Sequence, residues 1–445
     1  MFKRLGASFL LFYLRMLSIV QLKKINPIVV GIGGASGKSS LSLILSTVLS
    51  SKYKVKQSRG KNSETGIPLD ILGINAGNYT IWDWFRILFE SPLKLLTNWE
   101  KYDIYVAEMG IDSPKEPKNM SYLLKIVKPQ IAALTNIAFE HSVYFDGLVK
   151  SPDGKKREEE ILSLTKDQEM LLLKSLPKTG LAVVNLDDPI IEKESPTIAA
   201  RKSTISIEKK DADFYAGSIE VDLDKFSFDV VYLGEIYKFK INRPLPSHYA
   251  RSFLCALSIA SYLQIPLHDS IANIQNSFSL PPGRLSVFEG VKNTTIIDSS
   301  YNNATLPPII DILDLLKEIS GKRRKVAILG DMRELGSISK KIHNEVAKKI
   351  LLTCDFVILI GPLMNKYVAP VLEKNKFKYL SFKTFTAAKN SISKNIKEED
   401  VILVKSSQNT LFLERAVEML LKNRNDKDLL CRRGEFWDIQ RVKTL

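Results

Sequence analysis

The run Gly31 to Ser40, Gly-Ile-Gly-Gly-Ala-Ser-Gly-Lys-Ser-Ser, sets three residue types in an order that suits phosphate chemistry. Glycines let backbone amides curl around an anion, Lys38 supplies a point charge for the outer phosphates, and Ser39 offers a hydroxyl to Mg²⁺. An apolar strand, Ile28 to Val30, precedes the run and a helical stretch, Leu41 to Leu49, follows it, so a helix N-terminus adds its dipole to the same anion. The strict G-x-x-x-x-G-K-[ST] form is not met, because Ile32 stands where the first glycine belongs. The shorter G-x-x-G-K-[ST] is present at Gly34 to Ser39, with Gly31 as an additional glycine. Nucleotide binding is the expectation, with Gly34, Gly37, Lys38, Ser39 and Ser40 as the contacts.

Two further strand ends carry polar residues at the carboxyl edge, where open α/β sheets bind ligands. Glu108 closes Tyr105-Val106-Ala107, and Thr135-Asn136 closes Ile131 to Leu134, with His141 five residues after Asn136. Hard cations prefer oxygen and share their shell with phosphate oxygens, so Ser39, Glu108 and His141 make a Mg²⁺ site. Each alone would read as a surface or helix-capping residue; the shared strand-end position is what raises them.

The elements that must hold these residues alternate short Val/Ile-rich runs with helix-like stretches, the rhythm of a parallel sheet with crossover helices. Strands are expected at 28–30, 104–107, 131–135 and 181–184, and again at 295–298, 325–329, 356–360 and 401–404. Between the two sets, Ser203 to Ile241 alternates in period two, which suggests a small antiparallel sheet appended to the first α/β unit. Pro281-Pro282-Gly283 is the expected boundary between domains.

With 445 residues, two or three domains are expected. A hydrophobic share of 45% and a charged share of 25% exclude wholesale disorder, collagen and coiled coil. The net charge of +15 is spread over scattered lysines without a single basic block. It fits either a solvated basic surface or a preference for nucleotides, carboxylated substrates or anionic lipid, and no nucleic-acid partner is expected. Cys255, Cys354 and Cys431 never form a CxxC pair, which points to a reducing, cytoplasmic compartment and away from a zinc ribbon. Phe9 to Val20 is apolar, flanked by Lys3, Arg4, Lys23 and Lys24 and interrupted by Arg15. It is too short for a full span and lacks a signal-peptide cleavage site, which leaves a helix docked on the first domain or a basic amphipathic helix on the inner membrane face. The aromatic stretch Trp82 to Trp99 reads as a packed helical insertion.

Taken in order, these residues resemble the Mur ligases, the ATP-dependent amide-forming enzymes of peptidoglycan synthesis, and most of all their D-alanyl-D-alanine-adding branch. The matching runs are GGASGKSS, NSETGIP at Asn62 to Pro68, AEMG at Ala107 to Gly110, TNIAFEH at Thr135 to His141 and VVNLDDP at Val183 to Pro189. They continue with PGRL at Pro282 to Leu285, IDSSYN at Ile297 to Asn302, GDMRELG at Gly330 to Gly336 followed by His343, and VKSSQ at Val404 to Gln408. After the N-terminal apolar and basic helix at 1–25, the resemblance implies a central P-loop ATPase domain at 26–282 and a Rossmann-like C-terminal α/β domain at 283–445.

It further implies that ATP with Mg²⁺ phosphorylates a carboxylate and that an amino acid or dipeptide amine then attacks the acyl phosphate. Lys38, Glu108 and His141 would be the catalytic set, and Asn136, Arg284, Asp298 and Tyr301 would join the loop as nucleotide contacts, Arg284 toward the phosphates and Asp298 toward the ribose. The acceptor would be a peptidoglycan precursor or a similar carboxylate. Folate-polyglutamate and cyanophycin ligases share the core, and a non-catalytic ATP-binding scaffold is the reading from outside the enzyme class. Four departures stand out. The phosphate loop begins at residue 31, leaving no room for the family's N-terminal uridine-nucleotide domain, which a lipid-linked substrate would suit. Glu169 takes the place of the family's carbamylated metal-bridging lysine, with Lys166 three residues off register; it is either a replacement metal ligand or an exposed charge. His248 is followed by Ser252 where an asparagine is usual, and the late Lys-Gly-Ser is Lys405-Ser406-Ser407.

Overall fold

The computed structural model describes residues 2–442 apart from 59, 78, 139–141, 153, 302–305, 334 and 408–410. The chain divides into two compact units. The first comprises 1–217, 229–239 and 250–278, and the second 218–228, 240–249 and 279–445.

A nine-stranded sheet runs β2 (Val55–Gln57), β3 (Ile104–Glu108), β1 (Ile28–Gly33), β4 (Ile131–Leu134), β5 (Leu181–Asn185), β6 (Arg201–Ser206), β7 (Phe214–Asp222), β8 (Lys225–Tyr232), β9 (Glu235–Ile241). Strands β2 to β6 pair in parallel, and β7 joins β6 in parallel as well. Two-residue turns at 223–224 and 233–234 link β7, β8 and β9, a connection that only antiparallel neighbours accept. The antiparallel strands therefore extend the main sheet instead of standing as a sheet of their own. Register places Ile32 of β1 beside Glu108 of β3, and Gly33 beside Leu134 of β4, so three strand ends that carry polar residues finish side by side.

The helices of this unit's first half are α1 (Phe2–Ile25), α2 (Lys38–Leu49), α3 (Gly66–Leu72), α4 (Ile81–Thr97), α5 (Met120–Ile126), α6 (Ser142–Asp146) and α7 (Lys155–Lys174). Helix α2 buries Leu41, Ile44, Leu45 and Val48, the i, i+3, i+4 stripe of a core-facing helix. Helix α7 turns Ile161, Met170, Leu172 and Leu173 into the core that β4 and β5 build with Ala132, Leu134, Ala182 and Val184.

Helix α1 fills the expected 1–25 span, well beyond the apolar run at its centre, and it docks. Leu14 is fully buried with Leu69, Leu72, Ile74 and Ile87, and Leu10, Leu17 and Trp84 pack around them. By length and composition Gly6–Ile25 is also sufficient to cross a membrane. Helix α4 departs from the expectation of a packed insertion, since only Ile87 and Ser91 are buried and most of its aromatic residues face solvent. A capping box at Thr80 and Asp83 starts it, with each residue's side chain accepting from the other's backbone N–H.

The second unit holds a six-stranded sheet in the order β10 (Ser286–Glu289), β11 (Thr295–Ser299), β15 (Val401–Lys405), β12 (Lys325–Gly330), β13 (Phe356–Ile360), β14 (Tyr379–Phe382). It is parallel except for β10, which pairs antiparallel with β11. Central strands read as unbroken apolar runs because both faces are covered. The edges β2, β10 and β14 are three or four residues long and largely half-exposed, and their mixed composition hid them.

Candidate functional site

Strand β1 continues through Gly33, so the phosphate loop starts at Gly34. Gly31 is correspondingly not a loop residue. A Cβ there would come within 2.9 Å of both Leu172 and Pro129, so its smallness serves close packing. Gly34 and Gly37 do need to be glycine. Both have left-handed φ, 109° and 85°, and a Cβ on Gly34 would lie 2.3 Å from Thr135 Oγ1. Gly37 immediately precedes α2, so Lys38, Ser39 and Ser40 form that helix's first turn, three residues earlier than expected, at the helix end whose dipole favours an anion. The Lys38 ammonium donates to the carbonyls of Gly34 and Ala35, folding back over the loop it would serve.

The loop is held by residues far along the chain. Asn136 accepts from the Ser36 backbone N–H at 3.0 Å through Oδ1, and its carbonyl accepts from Ala35 N–H at 3.0 Å. Its segment is fixed in turn by Asn185, which donates to the Thr135 carbonyl at 2.8 Å, and by Asp188, which accepts from Ile137 N–H at 2.7 Å. The VVNLDDP run thus acts as a clamp on the Thr135–Ile137 turn, a role that its residue types alone did not disclose. Asn136 joins the loop as its brace. Ser40 lies buried at the base of α2.

Ser39 donates from Oγ to Glu108 Oε2 at 2.8 Å, and Glu108 is buried, its backbone N–H donating to Ser58 Oγ at 2.9 Å. A hydroxyl and a carboxylate held together beside a phosphate cradle are an oxygen-only donor pair of the kind Mg²⁺ takes while keeping water and phosphate oxygens in its shell. His141 lies outside the described residues. Among the described residues no cluster of three His, Cys, Asp or Glu side chains forms a closed metal cage.

Glu169 is not an exposed charge. It is 3% exposed on the inner face of α7, and its Oε2 accepts from the Gly34 backbone N–H at 2.9 Å. Lys166 points elsewhere, toward Asp167 at 3.2 Å and Glu194 at 3.5 Å. The signal was present in the sequence: Ile161, Thr165, Glu169 and Leu173 repeat at four-residue intervals and share a helix face.

In the second unit, Asp298 at the end of β11 is fully buried; Oδ1 accepts from Ser300 N–H at 3.0 Å, and among the described residues Oδ2 meets no hydrogen-bond donor. The Arg284 guanidinium lies over the Tyr301 ring at 5.8 Å, with Nε buried and without a hydrogen-bond partner among the described residues. Buried polar atoms that the described residues leave without partners suit a polar ligand that completes them. Lys405 is fully buried nearby. Burial first, then the Arg284 and Arg432 guanidiniums, push its ammonium down to about 7, while Asp298 acts the other way. Asp298 itself is pushed up to about 6, chiefly by burial. Asp331, from GDMRELG, is structural: its Oδ1 accepts from Met364 N–H at 2.8 Å. His343 is buried, with Nδ1 donating to the Ser339 carbonyl at 2.8 Å. His248 lies with Nδ1 2.9 Å from Asp311 Oδ2.

Lys405 sets a pH dependence for this unit. Between about 7 and the ordinary lysine value near 10.5 the unfolded chain holds a proton that the folded one does not, so stability rises with pH across that window. Thermal unfolding followed from pH 7 to 9 is expected to show a rising midpoint in the wild type. In Lys405→Met the rise should be lost; an unchanged slope would place its origin in another group.

A phosphate loop between a buried parallel strand and a helix, with a carboxylate fastened to its serine, defines a P-loop α/β nucleotide-binding protein. The Mur ligase middle domain matches residues 32–260, and the Mur ligase, glutamate ligase domain matches residues 283–408. The chain belongs to the Mur ligase family. It is 28% identical over 401 residues to the UDP-N-acetylmuramoyl-tripeptide–D-alanyl-D-alanine ligase of Buchnera aphidicola, covering 89% of this chain and 76% of that one. To the ligase of the same name from Haemophilus influenzae it is 27% identical over 342 residues, 76% of this chain and 65% of the relative. The fold is that of MurF from Thermotoga maritima, solved in complex with ADP, with a TM-score of 0.72 at 22% identity over 94% of this chain and 84% of that one.

Proposed function

We propose that the protein is an ATP-dependent amide-forming ligase of cell-wall synthesis, working in the cytoplasm. Its acceptor would be the carboxylate of a muramoyl-peptide precursor and its donor the amine of D-alanyl-D-alanine. The observation that carries the reading is the Ser39–Glu108 pair fixed beside the Gly34–Ser39 loop. The names of the relatives supply the substrate class.

The acceptor carboxylate oxygen attacks the γ-phosphorus of ATP and ADP leaves; the donor nitrogen then attacks the carbonyl carbon, phosphate leaves and the nitrogen loses a proton. Loop amides and Lys38 hold the transferring phosphoryl group, whose charge is spread in the transition state. Ser39 and Glu108, with His141 by resemblance, would hold Mg²⁺, which neutralises phosphate charge when bound. Arg284 toward the phosphates, Asp298 toward the ribose and Tyr301 beside them are the second unit's proposed contacts. Acceptor-dependent ADP release, with mass-spectrometric identification of the ligated product, tests the assignment. ATP binding without acceptor-dependent turnover would support the scaffold reading in its place.

Glu169 is proposed as a brace of the loop and, through its carboxylate, as the stand-in for the carbamylated lysine. Glu169→Ala would leave the buried Gly34 N–H without a partner, a penalty of about 1–3 kcal/mol that should weaken ATP binding roughly tenfold. Glu169→Gln keeps an acceptor oxygen and should bind ATP nearly normally, while a several-fold rise in the Mg²⁺ requirement marks the lost charge. In Glu169→Lys, bicarbonate should restore part of the turnover. Equal Mg²⁺ titrations for wild type and Glu169→Gln would confine the residue to bracing.

A further inference from the structure

Helices α1 and α4 each carry two apolar faces, and the fold uses only one of each. On α4, Trp84, Ile87 and Ser91 turn inward, while Trp82, Phe85, Phe89, Leu93 and Leu96 turn out, Trp82 being 82% and Phe89 74% exposed. Their spacing of three, four, four and three residues is a continuous stripe on the side opposite the buried one. On α1, Leu14, Ser18 and Gln21 are buried, while Phe9, Phe12, Met16 and Val20 repeat the same outward stripe.

The two helices are locked side by side and run in the same direction. Tyr13 donates to the Leu88 carbonyl at 3.2 Å, Gln21 to the Asn98 carbonyl at 3.1 Å, and Lys24 to the Leu95 and Asn98 carbonyls at 3.0 Å, with its ammonium 3.7 Å from the Trp99 ring centre. With both helices advancing about 100° per residue in that arrangement, the two stripes emerge on the same side. Water-facing apolar surface of this extent marks a docking site.

Charge selects the occupant. Helix α1 carries Lys3, Arg4, Arg15, Lys23 and Lys24, and the first acidic residue of the whole chain is Glu64. A second copy of the chain would bring two such cationic helices together. An anionic bilayer surface would meet the basic residues with opposite charge, take Phe and Leu into its acyl boundary, and hold Trp82 and Trp99 at headgroup level, where indole rings concentrate. We propose that the α1–α4 face docks the protein on an anionic lipid bilayer, lying on it and not through it. This goes beyond the ligase reading and does not depend on it.

The test is co-sedimentation of the full chain with vesicles of phosphatidylcholine alone or with phosphatidylglycerol added, together with tryptophan emission. Binding should require phosphatidylglycerol, blue-shift the emission and weaken in 0.5 M salt, given screening over a few ångströms at high ionic strength. The double variant Phe85→Ser, Phe89→Ser removes two solvent-facing rings without touching the core and should bind about tenfold or more weakly. Lys23→Glu should also weaken binding, and both variants should keep their solution ligase activity. No sedimentation with anionic vesicles at low salt would overturn the proposal. So would a dimer in solution that the double variant dissociates, and so would protein that stays in the vesicles through salt and alkaline washing, which means an inserted helix.

Discussion

Lys38→Ala is expected to lower product formation by about 100-fold or more in a protein that remains folded. The ammonium sits at the first residue of α2, where it can follow charge moving onto a transferring phosphoryl group, and loss of one such preorganised charge typically costs several kcal/mol in the transition state. Its contribution to the fold is small. Its hydrogen bonds to the Gly34 and Ala35 carbonyls lie within the loop itself, and alanine is the better helix former at that position. Circular dichroism and thermal unfolding should match the wild type while acceptor-dependent ADP release collapses. Lys38→Arg should recover little, because a planar fork does not replace a compact point charge. A folded Lys38→Ala enzyme with wild-type turnover would remove the phosphate-loop assignment.

Glu414→Gln is expected to produce the largest loss of stability, about 3–5 kcal/mol, localised to the second unit. Glu414 is fully buried, accepting from Arg432 Nη1 at 2.7 Å and from Arg441 Nε at 3.3 Å, and Arg432 in turn donates to the Ser300 carbonyl at 2.7 Å. Without that carboxylate, Arg432 would share a dry interior with Lys405 and Arg284, with Asp298 as the nearby counter-charge among the described residues. Breaking one side of a buried pair costs far more than the pair contributes, because the remaining charge cannot reach water. For a unit of this size the unfolding midpoint should fall by roughly 10 °C. A shift within about 1 kcal/mol would show that water or a rearranged Arg432 relieves the stranded charge.

The α/β rhythm, the loop and the strand-end carboxylate were legible because each is a local pattern: a run of β-branched residues, a glycine spacing, a polar residue closing an apolar run. Eight expected strands are present within a residue or so, save that β1 runs three residues further. What stayed hidden is relational. Arg432 and Glu414 lie in no motif, and only the packing of the C-terminal segment makes them partners. Glu169 sat among the charged letters of TKDQEM, so local composition spoke for solvent while helical periodicity placed it inside. The aromatic residues of Trp82 to Trp99 suggested burial, since composition records how much apolar surface a helix has but not how many of its faces the fold covers.

One consequence of the loop's bracing concerns the order in which the protein is made. The cradle at residues 34–40 is completed by Asn136, Glu169, Asn185 and Asp188, so its last supports are synthesised about 150 residues after the loop itself. At the usual pace of translation that interval is roughly 7–30 s. Throughout it the nascent chain carries the glycines and the lysine without the groups that hold them in place. The fully braced cradle is thus a late acquisition on the ribosome, complete only when the strand after α7 has joined the sheet.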